Sequence, residues 1–330
     1  MKHQELFVQR LQASLKPGES LAQVLADLLN ISLDSAYRRI NTKTSFSIDE
    51  AIWVANEFDL SLDSLLDPNQ EKASVIFQDL EPTFEGFGQY LELLHQNLKQ
   101  IKRNPNSLLY YSCLDIPIFL NLSSPVTAAF KIFYWMHSIM EVPDLQGEAF
   151  RPEIIPQEFV DKGLQIFETY SEIKSVEMWT TDTLNSTLRQ IQYYHQAGYI
   201  RDSVVNGAIY DELDQLVDRV NTMAERGTKI IDRIPEEHEK DNYALYESDI
   251  ELTGNGAIAV AGEHKRSFIG HLTFHTLVSD HKQLNEKTLA WYLGLMRKAN
   301  LISSVSAKHR YQFISHLKGE LKSSRERNQL

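Results

Sequence analysis

The chain has few of the features that stabilise secreted proteins or anchor proteins in membranes. It contains one cysteine, Cys113, in 330 residues, so no disulfide can form within the chain. Its most apolar run, Ile116–Leu122, is far shorter than the roughly 20 residues that a membrane-spanning helix requires. The opening residues, Met1–Phe7, place polar groups where a signal peptide has its apolar core. These absences predict a soluble cytoplasmic protein with no membrane partner.

The sequence patterns of common enzymes and cofactor sites are also missing. Gly254–Gly256 and Gly262 are followed neither by the Lys-Ser/Thr pair of a phosphate loop nor by a third glycine at dinucleotide spacing. No Gly-x-Ser-x-Gly occurs, and Cys113 lies in an apolar stretch that favours an inert buried thiol. His271 and His275 stand four apart, but in a strand two such side chains lie about 13 Å apart. We therefore expect no catalytic residues, no cofactor and no metal site.

Positive charge is scarce relative to negative charge. The chain has 33 Lys and Arg against 45 Asp and Glu, a net charge of −12, which argues against a protein that coats nucleic acid non-specifically. A site-specific DNA-binding protein needs only a local basic face. Residues 1–66 hold six Lys and Arg against nine Asp and Glu, and this acidic balance counts against DNA binding. The length predicts two or three folded domains.

Five short apolar-periodic segments occupy residues 1–66. A first helix is predicted over 2–15, and Ser20 is expected to cap a second helix that ends at the turn residue Asn30. Ser32 is expected to cap a third helix over 33–41, and Ser47 a fourth, before a last short helix over 60–66. The residues of the fourth helix expected to face inward are Ile48, Ala51, Ile52 and Ala55. This order and spacing are typical of a helix-turn-helix DNA-binding domain.

The third helix carries the side chains that would contact DNA. Ala36 and Ile40 are expected to face the second helix, which leaves the polar residues exposed to a major groove. Tyr37 and Arg38 can reach bases or phosphates, while Arg39 and the segment 42–44 are expected to contact phosphates. The predicted DNA-binding residues are Ser32, Asp34, Ser35, Tyr37, Arg38, Arg39, Thr42 and Lys43.

The same segments resemble a known family. The strings LAQVLADLLNISLDSAYRRI (21–40) and SIDEAIWVANEFDLSLDSLL (47–66) resemble the lambda-repressor-like, Xre-type helix-turn-helix family, with Asn30 where that family usually has a turn glycine. The strings SCLDIPIFLNLSSPVTAAFKIFYWMHSI (112–139) and LISSVSAKHRYQF (301–313) resemble the long Bacteroidetes-type regulators. The resemblance implies a transcription regulator whose partner is double-stranded DNA.

A polar segment over 67–76, which contains Pro68, predicts a linker between a domain at 1–66 and a second domain at 77–330. Strands are predicted over 107–119 and 175–179, and a strand-rich segment near 243–277 is predicted to form a β-meander of strands 243–252, 257–261 and 266–277. Helices are predicted at 84–101, 125–140, 156–170, 182–197, 203–226, 284–299 and 305–321. The predicted fold class is a mainly α helix-turn-helix domain followed by an α/β (α+β) domain.

Aromatic residues of the second domain are candidates for the pocket of a small-molecule effector. They are Tyr110, Tyr111, Phe133, Tyr134, Trp135 and Trp179. Aromatic side chains at helical and strand spacing also pack in ordinary cores, and core packing is the preferred interpretation.

The sequence as a whole predicts a DNA-binding transcription regulator that is not an enzyme. Dimerisation is expected, because one domain contacts few base pairs and two half-sites supply the missing specificity. Two other classes stay open: a helical protein-interaction adaptor of antitoxin type, and an enzyme in residues 77–330. The adaptor differs from the regulator in salt dependence, since DNA binding weakens steeply as salt rises.

Overall fold

The computed structural model describes residues 2–15, 18–58, 60, 62–65, 73, 75–77, 79–230, 241–250, 252, 254–271 and 275–328. The chain divides into two compact units, Met1–Ser74 and Val75–Leu330. The helices are α1 (Lys2–Ala13), α2 (Leu21–Leu29), α3 (Leu33–Ile40), α4 (Ile48–Glu57), α5 (Phe84–Lys102), α6 (Ile118–Asn121), α7 (Pro125–Tyr134), α8 (Gln157–Ser171), α9 (Asn185–Gln196), α10 (Ser203–Arg226), α11 (Lys282–Met296) and α12 (Ala307–Arg327). The strands are β1 (Ile76–Phe77), β2 (Leu108–Ser112), β3 (Lys174–Trp179), β4 (Tyr243–Glu247), β5 (Gly256–Ala261), β6 (His264–His271), β7 (His275–Ser279) and β8 (Asn300–Leu301).

Local capping explains where the helices of the first unit begin. The Ser32 hydroxyl accepts a hydrogen bond from the Ser35 amide at the start of α3. At α4, Ser47 and Glu50 form a reciprocal capping box, in which each side chain accepts from the other residue's backbone N–H. Ser20 precedes α2 as predicted, but its side chain makes no capping hydrogen bond. The predicted caps at Ser32 and Ser47 are therefore confirmed, and the one at Ser20 is positional only.

The turn between α2 and α3 depends on the conformation of Asn30. This residue has φ 51° and ψ 50°, the left-handed region, and its amide bonds to the Ala26 carbonyl. Asparagine adopts this conformation more readily than most residues, because its short polar side chain bonds locally. Asn30 thus supplies the turn that a glycine would otherwise make.

The core of the first unit lies between α1, α2 and the inner faces of α3 and α4. Its fully buried residues are Leu11, Leu25, Ala36 and Val54. The sequence prediction for α4 is wrong at two positions, since Ile48 is 78% exposed and Ile52 is 44% exposed. Ala55 faces the core as predicted, and Val54, which was not predicted, is buried beside it, because α2 packs on that side of α4. The predicted helix over 60–66 is a short 3-10 turn at Leu62–Leu65.

The second unit is built on one mixed eight-stranded sheet with strand order β1-β7-β6-β5-β2-β3-β4-β8. Strands β2, β3 and β4 run parallel, and every other neighbouring pair is antiparallel. One face is covered by the large core that α5, α7, α8, α10 and α12 share with the sheet. The opposite face packs against α11, where Tyr292 and Leu295 meet Tyr110 and Ile258. The α+β class predicted for this region is confirmed.

The strands differ from the predictions in three respects. Strand β2 ends at Ser112, because the apolar residues that follow turn away and form α6. The predicted strand over 266–277 is a hairpin of β6 and β7, in which His271 pairs with His275 across the connection. The meander comprises β5, β6 and β7 only, since β4 lies parallel to β3 on the other side of β2. Within the described part of the chain, no helix combines the length and apolarity needed to cross a membrane.

Candidate functional site

The exposed face of α3 is the first candidate site. Ala36 is fully buried and packs toward α2, so the residues on either side of it point away from the core. Tyr37 is 53% exposed, and Asp34 and Arg38 are exposed with it. These three side chains form one polar and aromatic face with the reach for base edges or phosphates.

The loop after α3 is tightly organised. The Arg38 carbonyl accepts hydrogen bonds from the Lys43 and Thr44 amides at 2.8 and 3.1 Å. Thr42 has a φ of 56°, the left-handed region, which the β-branched residues rarely adopt. From α1, the Gln4 side-chain amide donates to the Arg39 and Thr44 carbonyls at 2.9 and 2.8 Å. This loop is therefore held in one conformation, with the Lys43 side chain exposed beside α3.

Arg39 occupies a different position from the one predicted. Its guanidinium forms a bidentate pair with Glu50, with Nη2 to Oε1 at 2.7 Å and Nε to Oε2 at 3.1 Å. The hydrogen bond from Arg39 lowers the pKa of the Glu50 carboxyl. Its Nη1 also donates to the Ser35 carbonyl. The predicted phosphate contact at Arg39 is therefore revised: in this structure the side chain holds α3 against α4.

The serines at the start of α3 also serve the helix. Ser32 caps it, and the Ser32 and Ser35 hydroxyls are hydrogen-bonded at 3.0 Å. Ser32 is exposed while Ser35 is half-buried, so Ser32 is the better placed of the two for an outside contact. The predicted set thus separates into an outward group (Ser32, Asp34, Tyr37, Arg38 and Lys43) and an inward group (Ser35, Arg39 and Thr42).

Sequence reasoning missed an exposed apolar surface on α4. Ile48, Ile52 and Trp53 lie on this helix, and Trp53 is 58% exposed. The sequence signal was weak, because α4 carries apolar residues on more than one side and their spacing alone does not decide which side is buried. We call Ile48, Ile52 and Trp53 the α4 surface.

Residues 4–98 match the BetR domain family. This match supports a helix-turn-helix-like N-terminal domain of the kind associated with transcription regulators. It gives no specific support for the Xre type, which stays a prediction. No curated protein and no solved structure matches the chain.

The BetR match ends within α5, and α5 forms one wall of the second candidate site. A cavity of about 410 Å³ lies between α5, the segment after β2, and the face of β2 and β5–β7. Its apolar lining includes Tyr90, Leu93, Leu94, Leu98, Ile101, Leu109, Ile116, Phe119, Phe268 and Val278. Leu93 and Leu94 are half-buried and Leu114 is 42% exposed, so the cavity opens to solvent. Its size lies within the range of about 300–1,000 Å³ usual for ligand pockets.

Three of the six aromatic residues predicted for a pocket line this cavity. They are Tyr111, Tyr134 and Trp135. Tyr110 points to the opposite face of the sheet, because side chains alternate along β2, and there its ring lies 5.9 Å from that of Tyr292. Phe133 is fully buried in the main core. Tyr110 and Phe133 therefore pack in cores, which was the preferred interpretation, and do not line this cavity.

Trp179 was also predicted to line the pocket and instead belongs to a buried hydrogen-bond network. Its indole N–H donates to Glu177 Oε2 at 2.8 Å, the Tyr243 hydroxyl donates to the same oxygen at 2.9 Å, and the Tyr170 hydroxyl donates to Oε1. Burial raises the pKa of the Glu177 carboxyl above its ordinary value. Burial also lowers the pKa of Lys229 to about 7. The ammonium group of Lys229 lies 3.7 Å from the centre of the Tyr170 ring. None of these groups lines the cavity.

A second buried charge, Lys131, lies behind one end of the cavity. Its ammonium donates to Asp115 Oδ2 at 2.8 Å, Gln190 Oε1 at 2.8 Å and Thr187 Oγ1 at 3.1 Å, so all three N–H bonds are used. Asp115 and Gln190 line the cavity, whereas Lys131 is fully buried. The sequence signal for this group is a lysine inside the apolar string of α7, since buried lysines are nearly always paired.

Proposed function

We propose that this chain is a sequence-specific DNA-binding transcription regulator that acts as a dimer in the cytoplasm. One observation carries the proposal: α3 presents Asp34, Tyr37 and Arg38 outward from a unit that matches the BetR domain family. The rigid support of α3 by Ala36, by the Arg39–Glu50 pair and by Gln4 favours this role, because base contacts require a helix held at a fixed angle.

In the proposed complex, α3 enters the major groove with its N-terminal half nearest the bases. Arg38 makes a base or phosphate contact, and Lys43 contacts a phosphate at the edge of the groove. Few positive side chains take part, so sequence specificity and a second half-site must supply the affinity. The second unit is assigned dimerisation and the binding of a small effector. No catalytic step is assigned to it, because the Glu177 and Lys229 side chains are closed off in the core.

Selection of bound sites from random duplex DNA tests this proposal with the full chain. We expect an enriched sequence with two related half-sites about one helical turn apart. In fluorescence anisotropy with that sequence, Arg38→Ala is expected to weaken binding by about 1–3 kcal/mol. The matched control is Arg189→Ala, which removes one positive charge from an exposed position of α9. Equal affinities for wild type and Arg38→Ala would contradict the proposed role of Arg38.

Dimerisation is tested separately by size-exclusion chromatography with light scattering. A dimer at micromolar concentration is the expected result. A strict monomer, both alone and with the selected DNA, would contradict the two-half-site arrangement.

The α4 surface supports a second candidate function, a protein-interaction adaptor of antitoxin type. Exposed Ile48 and Trp53 lie on the same unit as α3, and aromatic side chains are enriched at protein interfaces. Salt distinguishes the two functions: binding to DNA falls steeply between low and physiological salt through counterion release, whereas an apolar protein contact changes little. If Trp53→Ala abolishes capture of a partner while DNA selection yields no enriched sequence, the adaptor function is supported instead.

A further inference from the structure

The cavity beside α5 is surrounded mainly by apolar atoms. Leucine and isoleucine side chains of α5 form one wall, and Phe268 and Val278 of the sheet form the opposite wall. Such a surface is costly to leave in contact with water, so an apolar occupant gains free energy in proportion to the area it covers. The lining therefore favours an apolar ligand body.

Asp115 at the edge of the cavity and Lys131 behind it are already fully paired within the protein. Asp115 Oδ1 accepts from the Ile116 amide at 2.8 Å and the Thr187 hydroxyl at 2.7 Å, while Oδ2 accepts from Lys131. The three donors of Lys131 are also used within the protein. An ionised ligand would therefore enter an apolar cavity without a free counter-charge, which is strongly unfavourable. The cavity selects for an uncharged molecule.

Polar groups of the cavity lining without a partner among the described residues include the buried acceptor Asn121 Oδ1 and the Tyr111 hydroxyl. Tyr111 lines the cavity from β2, and among the described residues nothing is hydrogen-bonded to its hydroxyl. Its ring is fixed at 5.7 Å from that of Phe119, which sets the position of the hydroxyl. Burial raises the pKa of Tyr111 well above its ordinary value, so the group is a neutral O–H donor. A carbonyl or hydroxyl oxygen of a ligand is its natural partner.

We infer that this cavity binds an uncharged, mainly apolar molecule that places one carbonyl or hydroxyl oxygen against the Tyr111 hydroxyl. The inference rests on the proposed function only in treating that molecule as the effector of a regulator. The site itself depends on the cavity, on the pairing of Asp115 and Lys131 within the protein, and on the unpaired Tyr111 hydroxyl.

Fluorescence titration of the full chain with two naphthalene probes tests the ligand class. Propionyl-dimethylaminonaphthalene is neutral and carries one carbonyl, and its emission reports both polarity and hydrogen bonding. Anilinonaphthalenesulfonate has a similar apolar body and a negative charge. We expect one saturable site for the neutral probe and at least about tenfold weaker binding of the anionic one, a ratio that corresponds to 1.4 kcal/mol.

Two tyrosines of the same strand provide a matched pair of variants. Tyr111→Phe removes only the hydroxyl in the cavity. We expect it to weaken binding of the neutral probe by about three- to tenfold and to abolish the emission shift caused by hydrogen bonding. Tyr110→Phe changes the opposite face of β2 and is expected to leave both the affinity for the neutral probe and its emission shift unchanged. Ala257→Leu, which adds volume inside the cavity, is expected to prevent binding of the neutral probe. The first two variants keep the ring packing, so the comparison remains valid even if Ala257→Leu does not fold.

The outcomes separate this inference from the proposed function. No saturable neutral-probe site, equal binding of the anionic probe, or equal effects of Tyr111→Phe and Tyr110→Phe would each overturn the inference, whatever the DNA result. Intact, Tyr111-dependent probe binding in a chain that selects no DNA sequence would leave the ligand site in place and overturn the regulator function instead.

Discussion

Replacing Glu50 by glutamine separates two roles of this side chain in the first unit. Glu50 accepts a hydrogen bond from the Ser47 amide in the capping box and also pairs with Arg39. Glutamine at this position keeps a capping-box acceptor but loses the charge. Alanine loses both. The pair of variants therefore measures the ion pair and the cap separately.

The expected magnitude follows from the burial of the pair. The side chains of Arg39 and Glu50 are 15% and 23% exposed, between a surface pair and a buried one. Exposed pairs contribute about 0–1 kcal/mol, whereas removing one partner of a buried pair costs about 3–5 kcal/mol. We expect Glu50→Gln to lower the free energy of unfolding by about 1–2 kcal/mol. Glu50→Ala should cost roughly 1 kcal/mol more, the usual effect of losing a helix cap.

The effect should depend on pH with a definite sign. The pKa of Glu50 is lowered in the folded state, so its extra stabilisation is fully present above the unfolded pKa and is lost as pH falls through the folded pKa. The difference between wild type and Glu50→Gln should therefore be constant near neutral pH and vanish in acid.

Hydrogen exchange with mass spectrometry of the full chain reports this directly, because peptides of α3 and α4 give the opening free energy of the first unit alone. The control is Glu57→Gln, at the exposed end of α4. If Glu50→Gln and Glu57→Gln change exchange equally at neutral pH, or if the difference persists in acid, the assigned role of the Arg39–Glu50 pair is refuted.

Three further substitutions test other parts of the structure. Asn30→Ala should destabilise the first unit by about 1–2 kcal/mol, because alanine is disfavoured in the left-handed region; unchanged exchange of α2 peptides would contradict this. Gly86→Ala should lower thermal stability by about 1–3 kcal/mol, since the added Cβ would lie 2.3 Å from the Glu81 carbonyl oxygen; a variant as stable as wild type in calorimetry would exclude such a clash. Lys131→Met should cost about 3–5 kcal/mol by leaving Asp115 without its partner, and the double variant with Asp115→Asn should recover part of that loss; no recovery in urea unfolding would argue against the pairing.

The parts of the fold that the sequence predicts are those set by local chemistry. Ser32 and Ser47 stand directly before apolar-periodic segments, and a serine hydroxyl satisfies the first free amides of a helix wherever that helix packs. Seven helices of the second unit were predicted for the same reason, with ends that differ from the structure by up to six residues, whereas α6 was predicted as part of a strand. Hydrophobic spacing and helix caps involve residues four or five positions apart, so the position of a helix can be predicted without knowing its tertiary contacts.

The parts that were missed depend on tertiary partners. Alternation along β2 predicts that Tyr110 and Tyr111 point to opposite faces, but only the placement of α5 and α11 decides which face carries the cavity. Likewise, α4 has apolar residues on more than one side, and α2 determines that Val54 rather than Ile52 is buried. The Arg39–Glu50 pair joins two helices across a loop, so neither residue's neighbours in sequence indicate it.

The acceptor at Glu177 has an evolutionary consequence. Its two oxygens accept hydrogen bonds from the Tyr170 hydroxyl of α8, the Trp179 indole of β3 and the Tyr243 hydroxyl of β4. An apolar replacement at position 177 would leave three buried donors without an acceptor, whereas loss of any one donor would leave the other two bonds in place and cost far less. In related sequences, the three donor positions should therefore vary more readily than Glu177. Glu177 should be replaced only where the aromatic donors are replaced as well. An alignment across diverged copies would display positions 170, 177, 179 and 243 as one inherited block.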